Sequence, residues 1–235
     1  MRSTLVLAIV LVATAVRAQP GDDNDDDPEA TDDTLPAIAA LGSAGSLVAE
    51  GRRELAAVHE SHYAHHTVVD ESRGVFDYDC SGFVGYALAR VAPKALAAVT
   101  AATRARPLAK DFYAFIAQPH APWHRIDRVA ELVPGDVIAW LEPPSKHSRN
   151  TGHVMIVESS PAPGARAGEY AVSVMDSSHS GHGSHDARVH DHRNGLGVGS
   201  IVLLVDDSGR PIGYRWSLAA HSVAYSTAIA LGRPI

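Results

Sequence analysis

The chain has 235 residues, of which 46% are apolar, and it carries 20 Lys and Arg against 27 Asp and Glu, for a formal charge of −7. This length and apolar fraction suffice for one large domain with a substantial core. The mildly acidic balance argues against a nucleic-acid binder that relies on a basic face. The single cysteine, Cys80, excludes an internal disulfide framework, a zinc site built from several cysteines and an iron–sulfur cluster.

The first predicted element is an export signal at residues 1–18. It begins with the basic residue Arg2, continues with an apolar run at residues 5–15, and offers the small residue Ala18 to a signal peptidase. The run is shorter than the about 20 residues that a membrane-spanning helix needs. We therefore expect a protein that is exported to the periplasm or the extracellular space and has no transmembrane segment.

An acidic segment follows the signal. Residues 22–33 hold eight acidic residues and no basic one, and because such a run repels itself, residues 19–34 are predicted to be a disordered spacer. Subtracting these eight acids, and the two arginines of the signal, leaves 19 acids and 18 bases for the rest of the chain. Calcium binding is the alternative role, but the segment lacks the Gly and the closing Glu of an EF-hand loop.

Residues 35–235 are predicted to form a single α+β domain. Apolar residues at helical spacing predict one or two helices within residues 35–60. The same spacing predicts a helix that begins at Cys80, with Asp79 as its N-cap. Pro93 interrupts this helix, and the stretches at residues 94–104, which are rich in Ala, and at 109–117 favour further helices.

After the turn signal Pro134-Gly135, the chain changes to short runs rich in Val and Ile, which predict strands. These runs lie at residues 136–141, 153–159, 169–175, 200–205 and 212–216, with a hairpin turn at 207–209. Helices followed by strands favour an antiparallel sheet with helices packed on one side. Residues 195–199, which alternate Gly with apolar residues, are predicted to be a flexible turn, and residues 217–231 fit either a helix or an irregular return.

The single thiol carries the predicted chemistry. Cys80 lies at the first turn of its predicted helix, where unpaired N–H groups and the helix dipole favour a thiolate. Asp79 acts in the opposite direction through its like charge, unless its carboxylate is engaged as a cap or by a substrate amine. Because a nearby imidazolium would favour the thiolate further, we expect a nucleophile rather than an inert core cysteine.

Three segments resemble, in the right order, the signature of the NlpC family of cell-wall cysteine peptidases. They are Asp79-Cys80-Ser81-Gly82-Phe83-Val84, Gly135-Asp136-Val137-Ile138-Ala139-Trp140 and Gly152-His153-Val154-Met155-Ile156-Val157. The resemblance covers about residues 60–180 and implies a papain-like core with Cys80 as nucleophile and His153 as general base. The 73 positions between these two residues exceed the spacing in compact family members, so residues 93–130 are assigned to a helical insertion.

The resemblance also implies the remaining site residues. The third catalytic residue lies at the end of the next strand, which is Asp176 here, with His179 as the runner-up. Asp79 and Ser81 are candidate substrate-binding residues that hold a free amine of the substrate, and Tyr63 lies about where the family recruits an upstream tyrosine.

The function implied is hydrolysis of an amide bond in the stem peptides of peptidoglycan through an acyl-enzyme, with no cofactor. Relatives on the same core cleave other amides or transfer acyl chains on lipids, and both possibilities stay open. The oligomeric state is not predicted.

A histidine-rich segment favours a different class of function. Residues 176–192 contain His179, His182, His185, His190 and His192, together with Asp186 and Asp191. Because imidazole-rich tracts can bind zinc, copper or nickel, the alternative is a periplasmic metal-binding or interaction protein. Without a His-x-x-x-His pair on a helix or a Cys ligand, a mobile polar loop beside the cleft is the favoured interpretation of this segment.

Overall fold

The computed structural model describes residues 42–143 and 150–235. The predicted export signal at 1–18 and acidic spacer at 19–34 lie outside the described residues. The protein is α+β, with a large antiparallel sheet and few helices, as the sequence predicts for the fold class. Among the described helices, none combines the length and the apolar character that crossing a membrane requires.

Most of the helices precede the sheet. The described residues form helices α1 (Gly42–Ala57), α2 (Cys80–Val91), α3 (Pro93–Ala102), α4 (Ala109–Ile116) and the short α5 (Ala187–His190). Helix α2 begins at the predicted residue because the Asp79 side chain accepts a hydrogen bond from the Gly82 N–H and so caps the helix. Pro93 then starts α3, since proline fits the first turn of a helix but not its interior.

The strands were predicted well in the second half of the chain. They are β1 (Val68–Asp70), β2 (Val75–Asp77), β3 (Trp123–Ile126), β4 (Val137–Leu141), β5 (Gly152–Val157), β6 (Ala162–Pro163), β7 (Glu169–Ser178), β8 (Gly195–Val205), β9 (Pro211–Arg215), β10 (Ala224–Ser226) and β11 (Ile229–Pro234). β1 and β2 form a hairpin of their own. The others form one antiparallel sheet in the order β10-β9-β8-β7-β5-β4-β11-β3, with β6 added beside β7.

Two predictions need correction. The helices predicted at residues 94–104 and 109–117 are confirmed, but the insertion 93–130 is not helical throughout, because its α-helices stop at Ile116 and residues 123–126 form the edge strand β3, after prolines that cannot continue a helix. Residues 195–199 are not a flexible turn but the first half of β8, paired along its length with β7. Residues 217–231, left open by the sequence pattern, contain β10 and the start of β11.

Alternating side chains divide the core between the two faces of the sheet. On β4, Val137 and Ala139 pack against α1 to α4, whereas Ile138 and Trp140 belong to a second apolar cluster on the opposite face. The register of β5 against β7 pairs Ile156 with Met175. This register places residues 153 and 176 on one face as diagonal neighbours near the strand ends.

Candidate active site

Cys80 is held at the start of α2, at the edge of an open cleft. It is a free thiol that is only 4% exposed, yet its side chain lines a cavity of about 240 Å³. As the first residue of the helix, its backbone N–H has no partner within α2. The residue therefore combines a shielded sulfur with a polar environment suited to negative charge.

His153 and Asp176 come from neighbouring strands and meet beside Cys80. The Asp176 Oδ2 lies 2.6 Å from the His153 Nε2. The Cys80 side chain lies close enough to His153 to influence its pKa, and Nδ1 is the ring nitrogen that does not contact Asp176. The structure thus brings together the three residues that the sequence nominates for catalysis.

The protonation of His153 follows from these contacts. Burial lowers its pKa, but the negative charge of a Cys80 thiolate and the hydrogen bond to Asp176 raise it more strongly, to about 10. His153 is consequently an imidazolium at neutral pH, and its charge stabilises the thiolate beside it.

Asp176 is fully buried and ionised. Burial raises its pKa, but the charges of His182 and Arg188 and the hydrogen bond from His153 outweigh burial and hold the pKa well below its ordinary value. The His182 Nε2 lies 3.1 Å from the Asp176 Oδ2, and the Arg188 Nη2 donates to the Asp176 Oδ1 at 2.8 Å. The carboxylate can therefore orient His153 by accepting its N–H.

Asp79 and Ser81 are already engaged with each other and with the protein. The Asp79 Oδ1 accepts hydrogen bonds from the Ser81 hydroxyl and the Gly82 N–H, both at 2.8 Å. The Asp79 Oδ2 accepts one from the Arg106 Nη2 at 2.8 Å. Burial raises the Asp79 pKa, but the Arg106 bond and these other donors lower it overall. Arg106 thus occupies the place predicted for a substrate amine and offsets the like charge of Asp79 beside Cys80.

Tyr63 lies in the cleft as predicted. Its backbone N–H donates to the Asn194 Oδ1 at 2.8 Å, which fixes the segment across the cleft. Burial, followed by the negative charges of Cys80 and Asp79, raises the pKa of Tyr63 well above its ordinary value. Its hydroxyl therefore keeps its proton and is available as a hydrogen-bond donor near the sulfur.

The cleft has two parts that meet at Tyr63. The part beside Cys80 is the cavity of about 240 Å³, and its walls include Asp79 and Ser81. The part beside His153 has a volume of about 710 Å³ and a largely aromatic wall. That wall is formed by Trp140, Tyr214, Trp216 and Tyr225.

Part of the histidine-rich segment is buried. His182, Asp186 and Arg188 are buried, whereas His179 is exposed and its ring lies 6.1 Å from the Tyr63 ring, edge on. The ring contact of His179, the runner-up for the third catalytic position, is with Tyr63, whereas the side chain that bonds to the His153 Nε2 is that of Asp176. Within residues 42–143 and 150–235, no group of three His, Cys, Asp or Glu side chains could hold a metal ion.

Sequence reasoning did not assign three residues to this site: Arg106, His182 and Arg188. They contact Asp79 and Asp176 from positions 27, 6 and 12 residues away in the chain, so residue type alone did not indicate these contacts. The glycines of β8 are the one hint, because a run of small residues on a strand indicates a close neighbour above it.

Comparison with known proteins relates the chain to an uncharacterized viral protein. The chain is 34% identical over 163 residues to an uncharacterized protein of Acanthamoeba polyphaga mimivirus, a match that covers 61% of this chain and 70% of the viral protein. No protein-family model matches the chain, and no solved structure matches it. The chain belongs to the same family as this viral protein.

Proposed function

We propose that the protein is a cysteine hydrolase that cleaves amide bonds with Cys80 as nucleophile. The observation that carries the proposal is the continuous contact from Cys80 through His153 to the buried carboxylate of Asp176, at the wall of an open cleft. A thiolate, an imidazolium and an orienting acceptor are the three parts that thiol acyl transfer needs.

The chemistry follows from the position of each group. The Cys80 thiolate attacks the substrate carbonyl, and His153 gives its proton to the departing amine, leaving an acyl-enzyme and a neutral imidazole. His153 then takes a proton from water, and the resulting hydroxide adds to the thioester carbonyl. The tetrahedral intermediate expels the Cys80 thiolate, which stays on the protein, and the carboxylic acid product is released. The Cys80 N–H and the Tyr63 hydroxyl are the donors suited to the oxyanion.

The proposed substrate class is the stem peptide of peptidoglycan, on a papain-like core. Its support is the resemblance of the three segments around Cys80, Asp136 and His153 to the NlpC signature, together with the antiparallel sheet that carries the last two. A substrate outside the cytoplasm agrees with the export signal proposed for residues 1–18.

Digestion of purified peptidoglycan, followed by mass spectrometry of the released fragments, tests the proposal. The wild-type protein is expected to release peptides, whereas Cys80→Ala and His153→Ala lose at least a hundredfold in rate. His185→Ala is a matched control, since His185 belongs to the same histidine-rich segment but is exposed. Turnover of any amide substrate that survives in Cys80→Ala contradicts the assignment.

A further inference from the structure

A buried cluster of charged side chains lies behind Asp176. Its members are Asp176, His182, Asp186 and Arg188, which are 0%, 3%, 1% and 3% exposed. Burying four such groups is costly unless each charge is offset and each hydrogen-bonding atom has a partner. The contacts of Arg188 and His182 meet both conditions.

Arg188 links the cluster together. Its Nη2 donates to the Asp176 Oδ1 and to the Asp186 Oδ2, both at 2.8 Å, and its Nε donates to the Asp186 Oδ1 at 3.0 Å. Its Nη1 donates to the Ser178 hydroxyl at 2.9 Å and to the Gly195 carbonyl at 2.7 Å. The guanidinium is therefore fixed in position on the side of Asp176 away from His153.

His182 closes the cluster from a second direction. Its Nε2 lies 3.1 Å from the Asp176 Oδ2, and its Nδ1 lies 3.0 Å from the Trp216 carbonyl oxygen. A carboxylate and a carbonyl can only accept hydrogen bonds, so both bonds together require a proton on each ring nitrogen of His182. In that form His182 adds a positive charge beside Asp176, in addition to those of Arg188 and His153.

Glycines of β8 make room for these side chains. A Cβ at Gly197 would lie 2.3 Å from the Arg188 Nε, and one at Gly199 would lie 2.6 Å from the His182 Cβ. The two glycines are two residues apart and so face the same side of the strand. The strand is thus adapted to hold Arg188 and His182 against Asp176.

We propose that Arg188 and His182 are positioning residues that fix Asp176 and offset its negative charge, so that Asp176 orients His153 without opposing the thiolate of Cys80. This inference rests on the proposed function. The groups facing Asp176 are His153 from β5, and His182 and Arg188 from the segment after β7, with Asp186 behind Arg188 and with Cys80 and Tyr63 across His153.

The charges of this set balance when the catalytic pair is ionised. Cys80, Asp176 and Asp186 are then negative, and His153, His182 and Arg188 are positive. Removing the charge of Arg188 leaves this set with an excess negative charge at Asp176 and Asp186, which disfavours the thiolate across His153 and retains the proton on His153. Both effects move the active ion pair to higher pH.

The test is the pH dependence of alkylation of Cys80, the only thiol in the chain, by iodoacetamide. Arg188→Met is expected to move the onset of alkylation upward by about one pH unit. Arg188→Lys keeps the charge and is expected to recover most of this shift. Arg233→Met is the matched control, because Arg233 pairs with the equally buried Asp136 at the opposite end of the β4–β5 pair. Its profile is expected to coincide with that of the wild type.

Two further variants keep the test decisive. If Arg188→Met fails to fold, His182→Gln replaces it, because Gln can still donate to Asp176 but carries no charge. An upward shift in the pH of Cys80 alkylation then supports the proposal, and a wild-type profile overturns it. In the double variant Asp176→Asn/Arg188→Gln, both charges are removed, so the alkylation profile is expected to return toward that of the wild type. A double variant as displaced as Arg188→Met means that Arg188 is merely structural, and it overturns the proposal.

Failure of this inference and failure of the proposed function give different results. Alkylation needs no substrate, so a shift in Arg188→Met alongside full peptidoglycan turnover in Cys80→Ala retains the positioning role and rejects the hydrolase. A wild-type alkylation profile in Arg188→Met alongside an inactive Cys80→Ala retains the hydrolase and rejects the positioning role. Where turnover is measured, Arg188→Met is expected to lower kcat more than tenfold with little change in KM.

Discussion

Glu54 offers the sharpest quantitative prediction, because it is a buried acid without a cation in hydrogen-bonding contact. It lies on α1 with 0% exposure, and its Oε2 accepts a hydrogen bond from the Tyr78 hydroxyl at 2.6 Å. Its Oε1 has no hydrogen-bond partner among the described residues. Burial raises the pKa of Glu54 from 4.5 to about 8, against the lowering effect of the Tyr78 hydrogen bond.

The sign of the resulting pH dependence follows from proton counting. Between pH 4.5 and pH 8, the folded protein keeps the Glu54 proton that the unfolded chain has lost. Folding stability therefore falls by about 1.4 kcal/mol for each pH unit in this interval. The loss amounts to about 3 kcal/mol at pH 7 and about 5 kcal/mol above pH 8, where it is complete.

The substitution Glu54→Gln removes this titration while keeping the shape and an acceptor for Tyr78. The free energy of unfolding of the variant, relative to that of the wild type, is expected to rise by about 3 kcal/mol between pH 4 and pH 7. Urea denaturation at pH 4, 7 and 9 measures this difference directly. A constant effect of the substitution on the free energy of unfolding cancels, because the prediction concerns only how the difference changes with pH. Tyr78→Phe is the opposite control, because it removes the donor that lowers the Glu54 pKa and extends the loss of stability to higher pH.

A constant difference between Glu54→Gln and the wild type from pH 4 to pH 9 would refute the reasoning. It would mean that Glu54 is ionised in the folded protein at neutral pH despite its burial. The outcome also bears on the site, because Tyr78 immediately precedes Asp79 and its carbonyl oxygen accepts a hydrogen bond from the Ser177 hydroxyl on the strand of Asp176.

Four further predictions concern the cleft. NMR titration of His153 should show protonation up to about pH 10 in the wild type. The midpoint of the His153 titration should be lower in Cys80→Ala, because this variant lacks the charge that most raises the pKa. An unchanged midpoint would exclude a thiolate as the cause. Because this pKa is raised from 6.5, the stability that protonated His153 contributes is complete below pH 6.5 and declines as the pH approaches 10 in urea denaturation. Arg106→Met removes the closest partner of the Asp79 Oδ2 and leaves it the longer contact with the His65 Nδ1, at 3.4 Å. The kcat/KM for peptides with a free amino terminus should therefore rise several-fold relative to acetylated peptides, and an unaltered ratio would show that Asp79 does not face the substrate. Gly152→Ala should destabilise the fold by about 2 kcal/mol or more and displace His153. The reason is that Gly152 has φ 130° and that a Cβ there would lie 1.8 Å from a carbonyl oxygen of β4. A variant as stable in urea as the wild type would contradict this prediction.

The sequence predicts those parts of the site that short-range patterns determine. Asp79 and Cys80 stand at a helix start that capping chemistry specifies locally, and the structure begins α2 at Cys80. His153 and Asp176 stand on strands that their Val and Ile content predicts, although β7 extends three residues further than expected. Antiparallel pairing of those strands is then enough to bring the two side chains together.

The surroundings of Asp176 were not predictable because long-range packing determines them. A pattern of Gly, Leu and Val at residues 195–199 is typical of a turn when only neighbours in the chain are considered. In the fold, positions 197 and 199 accommodate only glycine, because Arg188 and His182 lie directly above Gly197 and Gly199 and leave no room for a Cβ. Composition indicates polarity in the histidine-rich segment, but it does not indicate which of its side chains fold inward.

Three carboxyl groups with 0% exposure show how strongly the surroundings set their charge: Glu54, Asp136 and Asp176. Glu54, without a cation in contact, has a pKa raised to about 8. Asp136 has one guanidinium, that of Arg233, at 2.7 Å, and yet burial still leaves its pKa raised. A single arginine therefore does not outweigh complete burial in this fold.

Asp176 is the exception among the three, because its pKa is held well below the ordinary value. It differs from Asp136 in having His182 as well as Arg188 beside it, in addition to its contact with His153. With Arg188 alone, the behaviour of Asp136 implies a carboxyl group that retains its proton more readily, and a protonated Asp176 would donate to its neighbours instead of accepting the His153 N–H. The donors that His153 and His182 add to Arg188 are thus what keep Asp176 an acceptor at the centre of the site, and His182→Gln should weaken the orientation of His153 even with Arg188 in place.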